Sequence, residues 1–308
     1  MHDARNTIRP AAGTAATALR GTRRNTHTLS GVLALCLLAA LALAAPAGAA
    51  LSGMGPVVVD HGFPEWYQDA TGVRLGLCVD NGDPNCTSTA PNPGPATVGA
   101  DAASSNFPEE TFYFRARARI DIKSTPRIRL RLIMAQEAAF LNGPVADGDQ
   151  VTFGRIRVTM EGMKPGASYT VTHPYGTEKL TADSRGRAKV TDDVGCASTN
   201  CDFAAALKTR IGPFLRWDPK VAPQAPAGYL GDGLTDHQVT GSPKGTNVFR
   251  VTGPDVGGAG VSRIETKLFT VEGKLAATQG TPSTAPAGAT APAGGAAPAA
   301  GTTPAAGT

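Results

Sequence analysis

The stretch TFYFRARARIDIK, residues 111–123, decides the fold. Its apolar and charged side chains alternate one by one. Phe112, Phe114, Ala116, Ala118, Ile120 and Ile122 fall on one side, and Arg115, Arg117, Arg119 and Asp121 on the other. An α-helix would spread both sets around its circumference, whereas a strand sends them to opposite faces. Ser124, Thr125 and Pro126 break the pattern, and Arg127, Arg129 and Arg131 resume it over residues 127–134. Two alternating runs about a turn-forming break predict a β-hairpin. Its apolar side must be buried, so its arginines must face outward.

The same period recurs away from the hairpin. Residues 151–160 form a third alternating run, with Arg155 and Arg157 on its polar side. Residues 135–140, AQEAAF, are read as a continuation of the hairpin arm. Residues 169–173, 178–182 and 187–191 predict a meander, turning at Pro174-Tyr175-Gly176 and Ser184-Arg185-Gly186. Val239, residues 247–252 and residues 264–271 supply further strands. One short helix is expected near residues 202–211. Asp202 can cap it, Lys208 and Arg210 lie in its last turn, Gly212 suits the position after its end and Pro213 stops it. The expected class is all-β: an antiparallel, β-sandwich-like fold with Gly, Pro and Asn clusters between short strands.

The N-terminal 49 residues have the layout of an export signal. Residues 31–45, GVLALCLLAALALAA, are an apolar run behind basic residues, followed by Pro46 and the small-x-small triplet Ala47-Gly48-Ala49. Cleavage is expected after Ala49, with Ala50 as the alternative. The run is shorter than the ~20 residues that span a bilayer, and no later run reaches that length, so no stable membrane anchor is expected. From Gly280 onward the chain contains only Ala, Gly, Pro, Thr and one Ser. Such a segment cannot bury a core, and residues 277–308 are expected to be a disordered tail. The β-rich domain is then residues 50–276, and a division into two sub-modules would fall near residues 145–150.

The 308 residues carry a formal net charge of +4, but five arginines and only one acid lie in the first 49. The rest balances at 24 basic and 24 acidic residues, which argues against a globally basic nucleic-acid binder. Hydrophobic content of 41% argues against disorder throughout. Beyond the signal four cysteines remain: Cys78, Cys86, Cys196 and Cys201. Three pairings are possible, and the short turn-rich intervals favour Cys78–Cys86 and Cys196–Cys201. The same spacings fit a four-cysteine zinc site poorly, and disulfides suit an oxidising compartment.

Several phrases carry a resemblance. They are Phe63-Pro64-Glu65-Trp66-Tyr67 with Asp69 and Gly72; Leu77-Cys78; Gly148-Asp149-Gln150-Val151-Thr152-Phe153-Gly154-Arg155-Ile156; and His173-Pro174-Tyr175-Gly176. They continue with Asp192-Asp193-Val194-Gly195, Ile211-Gly212-Pro213-Phe214-Leu215, Thr240-Gly241-Ser242-Pro243 and Asn247-Val248-Phe249-Arg250-Val251. In this ordered set the chain resembles a family of uncharacterised secreted bacterial proteins. The resemblance implies export and a shared fold, and transfers no catalytic residue. Residues 163–172, MKPGASYTVT, also resemble the strand entry of fibronectin-III or immunoglobulin-like modules.

Catalytic signatures are absent from the sequence. There is no G-x-S-x-G, no H-E-x-x-H and no P-loop spacing. His61, His173 and His237 remain beyond the signal, two of them beside Asp60 and Asp236; local hydrogen bonding is the reading favoured over a metal site, and no metal or other cofactor is expected. Asp80, Asn81 and Asp83 could offer oxygen to calcium, but turn formation by Asx side chains accounts for them. The carboxylate pairs Glu109-Glu110 and Asp192-Asp193 each put neighbours on opposite faces of a strand, so neither alone makes an acid/base dyad. Trp66 and Trp217 lie near turns and could stack on sugar; core packing is the commoner fate of such rings.

The basic stripe is the most distinctive feature. Arg115, Arg117, Arg119 and Lys123, then Arg127, Arg129 and Arg131, then Arg155 and Arg157 would share one sheet face if their strands are neighbours. Arginine matches carboxylate and phosphate oxygens bidentately. The expected protein is therefore secreted or cell-wall associated, a non-catalytic binding or adhesion module for an anionic wall polymer or polysaccharide. The competing expectation is an extracellular hydrolase acting on envelope glycan or another polymer.

Overall fold

A computed structural model describes residues 50–276. The expected export signal and C-terminal tail lie outside them. The described residues form fifteen strands and two short 3-10 segments. In order, the strands are β1 (Leu51–Met54), β2 (Trp66–Asp69), β3 (Arg74–Gly76), β4 (Glu110–Ile122) and β5 (Ile128–Phe140). Next come β6 (Gln150–Glu161), β7 (Ser168–His173), β8 (Gly176–Thr181), β9 (Arg187–Gly195) and β10 (Arg216–Trp217). The last are β11 (His237–Thr240), β12 (Phe249–Thr252), β13 (Arg263–Thr266), β14 (Leu268–Glu272) and β15 (Lys274–Leu275).

Alternation in β4, β5 and β6 gives each strand one apolar side, and pairing them builds an apolar face too large to leave in water. The seven-stranded sheet β10-β11-β14-β4-β5-β6-β9 carries that face. Phe114, Ala116 and Ile120 of β4, Leu130, Leu132 and Met134 of β5, and Ile156, Val158 and Met160 of β6 are buried on it. Two four-stranded sheets, β1-β2-β3-β15 and β13-β12-β7-β8, contribute Tyr67, Leu75, Tyr169, Val171, Phe249 and Val251 to the same continuous core. All named strand pairs are antiparallel, so the sandwich-like all-β class stands. The connection 141–149 joins β5 to its sheet neighbour β6, so it is a link within one sheet.

The expected hairpin forms, and its register sets Ile122 opposite Ile128 and Arg119 opposite Arg131. A β-bulge between Phe112 and Phe114 changes one assignment. The extra residue moves Phe112 to the arginine side, opposite Glu137, where the Arg115 guanidinium lies 3.9 Å from its ring. The expected meander is also broken. β7 and β8 pair in one sheet, while β9 pairs with β6 in another. The run expected over 264–271 splits at Lys267 into β13 and β14, which belong to different sheets.

The expected helix is a 3-10 segment, Phe203–Lys208, with the Asp202 carboxylate accepting from the Ala204 N–H. It ends before Arg210, whose guanidinium turns away to Glu178 and Asp192. Gly154 on β6 leaves room for Thr209 to approach the sheet where a Cβ would collide. Buried Asp69 ties two regions together. One carboxylate oxygen accepts from the Thr71 and Val73 N–H groups and the Thr71 hydroxyl, and the other from the Phe214 N–H.

Both local disulfides form, Cys78–Cys86 and Cys196–Cys201, and they fit an extracellular protein. No helix among the described residues is long and apolar enough to cross a membrane.

Candidate functional site

The strands β4, β5 and β6 are neighbours, so the expected arginines do share a face. Lys123 and Arg127 are exceptions, since they lie in the hairpin connection beyond the strand ends. Most of the face neutralises itself. Arg115 pairs with Glu272 at 2.7 Å, Arg119 with Asp236 at 3.1 Å and Arg129 with Glu161 at 2.9 Å. Asp121 takes Arg131 at 2.9 Å and Arg127 at 3.7 Å. Arg155 grips Asp193 with two nitrogens, at 2.7 and 2.8 Å, and Glu137 with a third at 2.8 Å.

Arg117 and Arg157 differ. They occupy one lateral row, on either side of Ile133. Among the described residues no carboxylate lies within ion-pair distance of either. Arg117 donates from Nε to the Thr270 hydroxyl at 3.3 Å and from Nη2 to the Gly233 carbonyl at 3.1 Å, both neutral acceptors. Burial, and then repulsion from Arg115, lowers its pKa from the usual guanidinium value. The Nε of Arg157 is buried with no partner at all. A half-buried cation without a counter-charge is a cost that an incoming anion would offset. Both arginines line a groove of about 650 Å³, with Ile133, Thr159 and Leu234 also on its wall.

A second cluster sits further along the same face. Glu137 is 2% exposed, and its pKa is pushed up to about 8, by burial first and by nearby Glu110 and Asp193 after it. Arg155 pulls the other way but shares its charge among Glu137, Asp193 and Glu110. Next to this cluster is a pocket of about 450 Å³, lined by Glu110, Phe140, Phe153, Arg155 and Asp193. Glu137 itself lies beneath Arg155 and does not line it. A carboxyl with a raised pKa beside other carboxyls is the raw material of acid/base catalysis, but this one is sealed from a substrate.

The remaining sequence candidates separate. Trp66, on β2, is partly exposed but has the Arg74 guanidinium over its ring at 4.2 Å. Trp217, on β10, is buried and stacked on His237 at 4.5 Å, so it offers no face to a sugar. His61 packs among Phe63 and Phe107. His173, its pKa lowered by burial, accepts from the Tyr175 N–H at Nδ1 and meets Glu178 at Nε2, 3.3 Å away. The three histidines thus occupy three separate places. In the Cys78–Cys86 loop, Asp80 accepts from Gly82, and Asp83 accepts from the Asn85 N–H, the Tyr229 hydroxyl and Lys274. These oxygens are occupied in shaping the loop and anchoring it.

Sequence reasoning missed two things. It could not single out Arg117 and Arg157, because the acids that neutralise their neighbours arrive from distant strands and loops. It passed over Glu137, although a carboxylate inside AQEAAF is a visible oddity. No protein-family model, curated protein or solved structure matches the chain.

Proposed function

We propose that this is a secreted, non-catalytic binding module that takes anionic groups of an extracellular or cell-wall ligand at the Arg117–Arg157 groove. The observation that carries the reading is the pair of unneutralised guanidiniums on a face whose other strand arginines are all engaged by carboxylates. Such a seat favours an oxyanion, which guanidinium binds with paired, charge-assisted hydrogen bonds. The hydrolase alternative has one supporting observation, the high-pKa carboxyl of Glu137, and its burial under Arg155 weighs against that alternative.

Binding of an anionic wall polymer to immobilised protein tests the reading. Replacing Arg117 and Arg157 together with Ser should weaken binding by about tenfold or more while the far-UV circular dichroism is unchanged. Unchanged affinity in that variant, or preference for neutral glycan over the polyanion, would overturn it.

A further inference from the structure

The wall of the groove is a built loop. The Asp232 carboxylate accepts from the N–H groups of Leu234 at 2.8 Å and Thr235 at 2.7 Å. Gly233 adopts φ +72°, and a Cβ there would strike Thr87, so the turn demands glycine. Its carbonyl in turn holds Arg117. The loop presents Leu234 at 67% exposure to the groove, where Ile133 separates the two arginines. Two cations therefore flank aliphatic surface in the site, whose wall also carries Arg119 paired with Asp236 and Arg131 paired with Asp121.

Charge and size narrow the ligand. A carboxylate would leave one of the two cations uncompensated, whereas a phosphate monoester carries about −1.5 to −2 at neutral pH and answers both. The groove, at about 650 Å³, is far larger than a phosphate ion, and pockets of that size hold drug-sized molecules. We infer that the groove takes a phosphate monoester carried on an apolar chain, its phosphate between Arg117 and Arg157 and its chain against Ile133 and Leu234. This deepens the binding reading above and rests on it.

Calorimetric titration with octyl phosphate, inorganic phosphate, octanoate and neutral octyl glucoside tests it. Octyl phosphate should bind about tenfold tighter than inorganic phosphate or octanoate, since burying a few methylenes gives that factor. Octyl glucoside should not bind. Leu234→Ser should remove the advantage of the chain and leave affinity for inorganic phosphate as it was. Arg117→Lys with Arg157→Lys keeps the charge, loses the bidentate fork, and should weaken both phosphates. Arg263→Ser, on another sheet, serves as the control that keeps wild-type affinity. If octyl phosphate binds no tighter than inorganic phosphate, or Leu234→Ser changes nothing, the amphiphile inference fails while anion binding survives. If neither these phosphates nor an anionic polymer binds the wild-type protein, the binding-module reading fails with it.

Discussion

Glu137 shows how one residue can make the whole fold sensitive to pH. Its carboxyl is buried beneath Arg155, and burial outweighs that arginine's pull, so its pKa stands at about 8. In the unfolded chain a glutamate titrates near 4.3. Between those values the folded protein therefore holds a proton that the unfolded chain has released. Stability must fall as pH rises through this window and level off above the folded pKa. The melting temperature should drop by something on the order of 5 °C between pH 6 and pH 9. Glu137→Gln keeps the shape and an oxygen for Arg155 but cannot ionise, so its melting temperature should be nearly flat over the same range. A wild-type protein whose melting temperature rises from pH 6 to pH 9 would contradict the assignment.

Across the three central strands, pairs that look alike in sequence differ widely in energetic weight. Arg129 and Glu161 are both about half exposed, and ion pairs of that kind contribute roughly 0–1 kcal/mol. Arg155 is 15% exposed and covers Glu137. Removing it leaves a buried carboxyl without its donor, a loss of about 1–3 kcal/mol, and also frees Asp193. Urea denaturation should therefore show Arg155→Ser clearly destabilised and Arg129→Ser nearly unchanged; equal losses would mean that burial does not separate the two pairs. The alternation in TFYFRARARIDIK was enough to read the hairpin and its buried face, because period two is a local property. The bulge that moves Phe112 to the other side was not legible, since one extra residue leaves the sequence pattern intact. Nor was the separation of β8 from β9, because sheet membership depends on which distant strand completes the core. The cysteine pairs were legible from spacing. The arginine face was legible as a face, but its working centre was not: Glu272, Asp236 and Asp193 are brought to it only by tertiary pairing.

For the molecule as a whole, near-neutral charge beyond the first 49 residues coexists with a locally positive groove. That arrangement makes the number of ionic contacts to a polyanion measurable. Each phosphate or carboxylate neutralised by a protein cation releases counterions, and for a polyanion the slope of log K against log salt approaches the number of such contacts. If the entire stripe served the ligand, eight arginines would give a slope of about −7. Of these eight, Arg117 and Arg157 alone have no carboxylate partner among the described residues, and breaking an internal pair to bind externally gains little net charge interaction. The expected slope is therefore about −2, falling toward zero in the Arg117→Ser, Arg157→Ser variant. Titration of an anionic wall polymer at several salt concentrations from roughly 50 to 200 mM would read it directly. A slope near −7 would show that the internal ion pairs open to the ligand and that the whole face binds. A slope near zero in the wild-type protein, with binding intact, would remove electrostatics from the recognition altogether and shift attention to the partly exposed Trp66 beside Arg74.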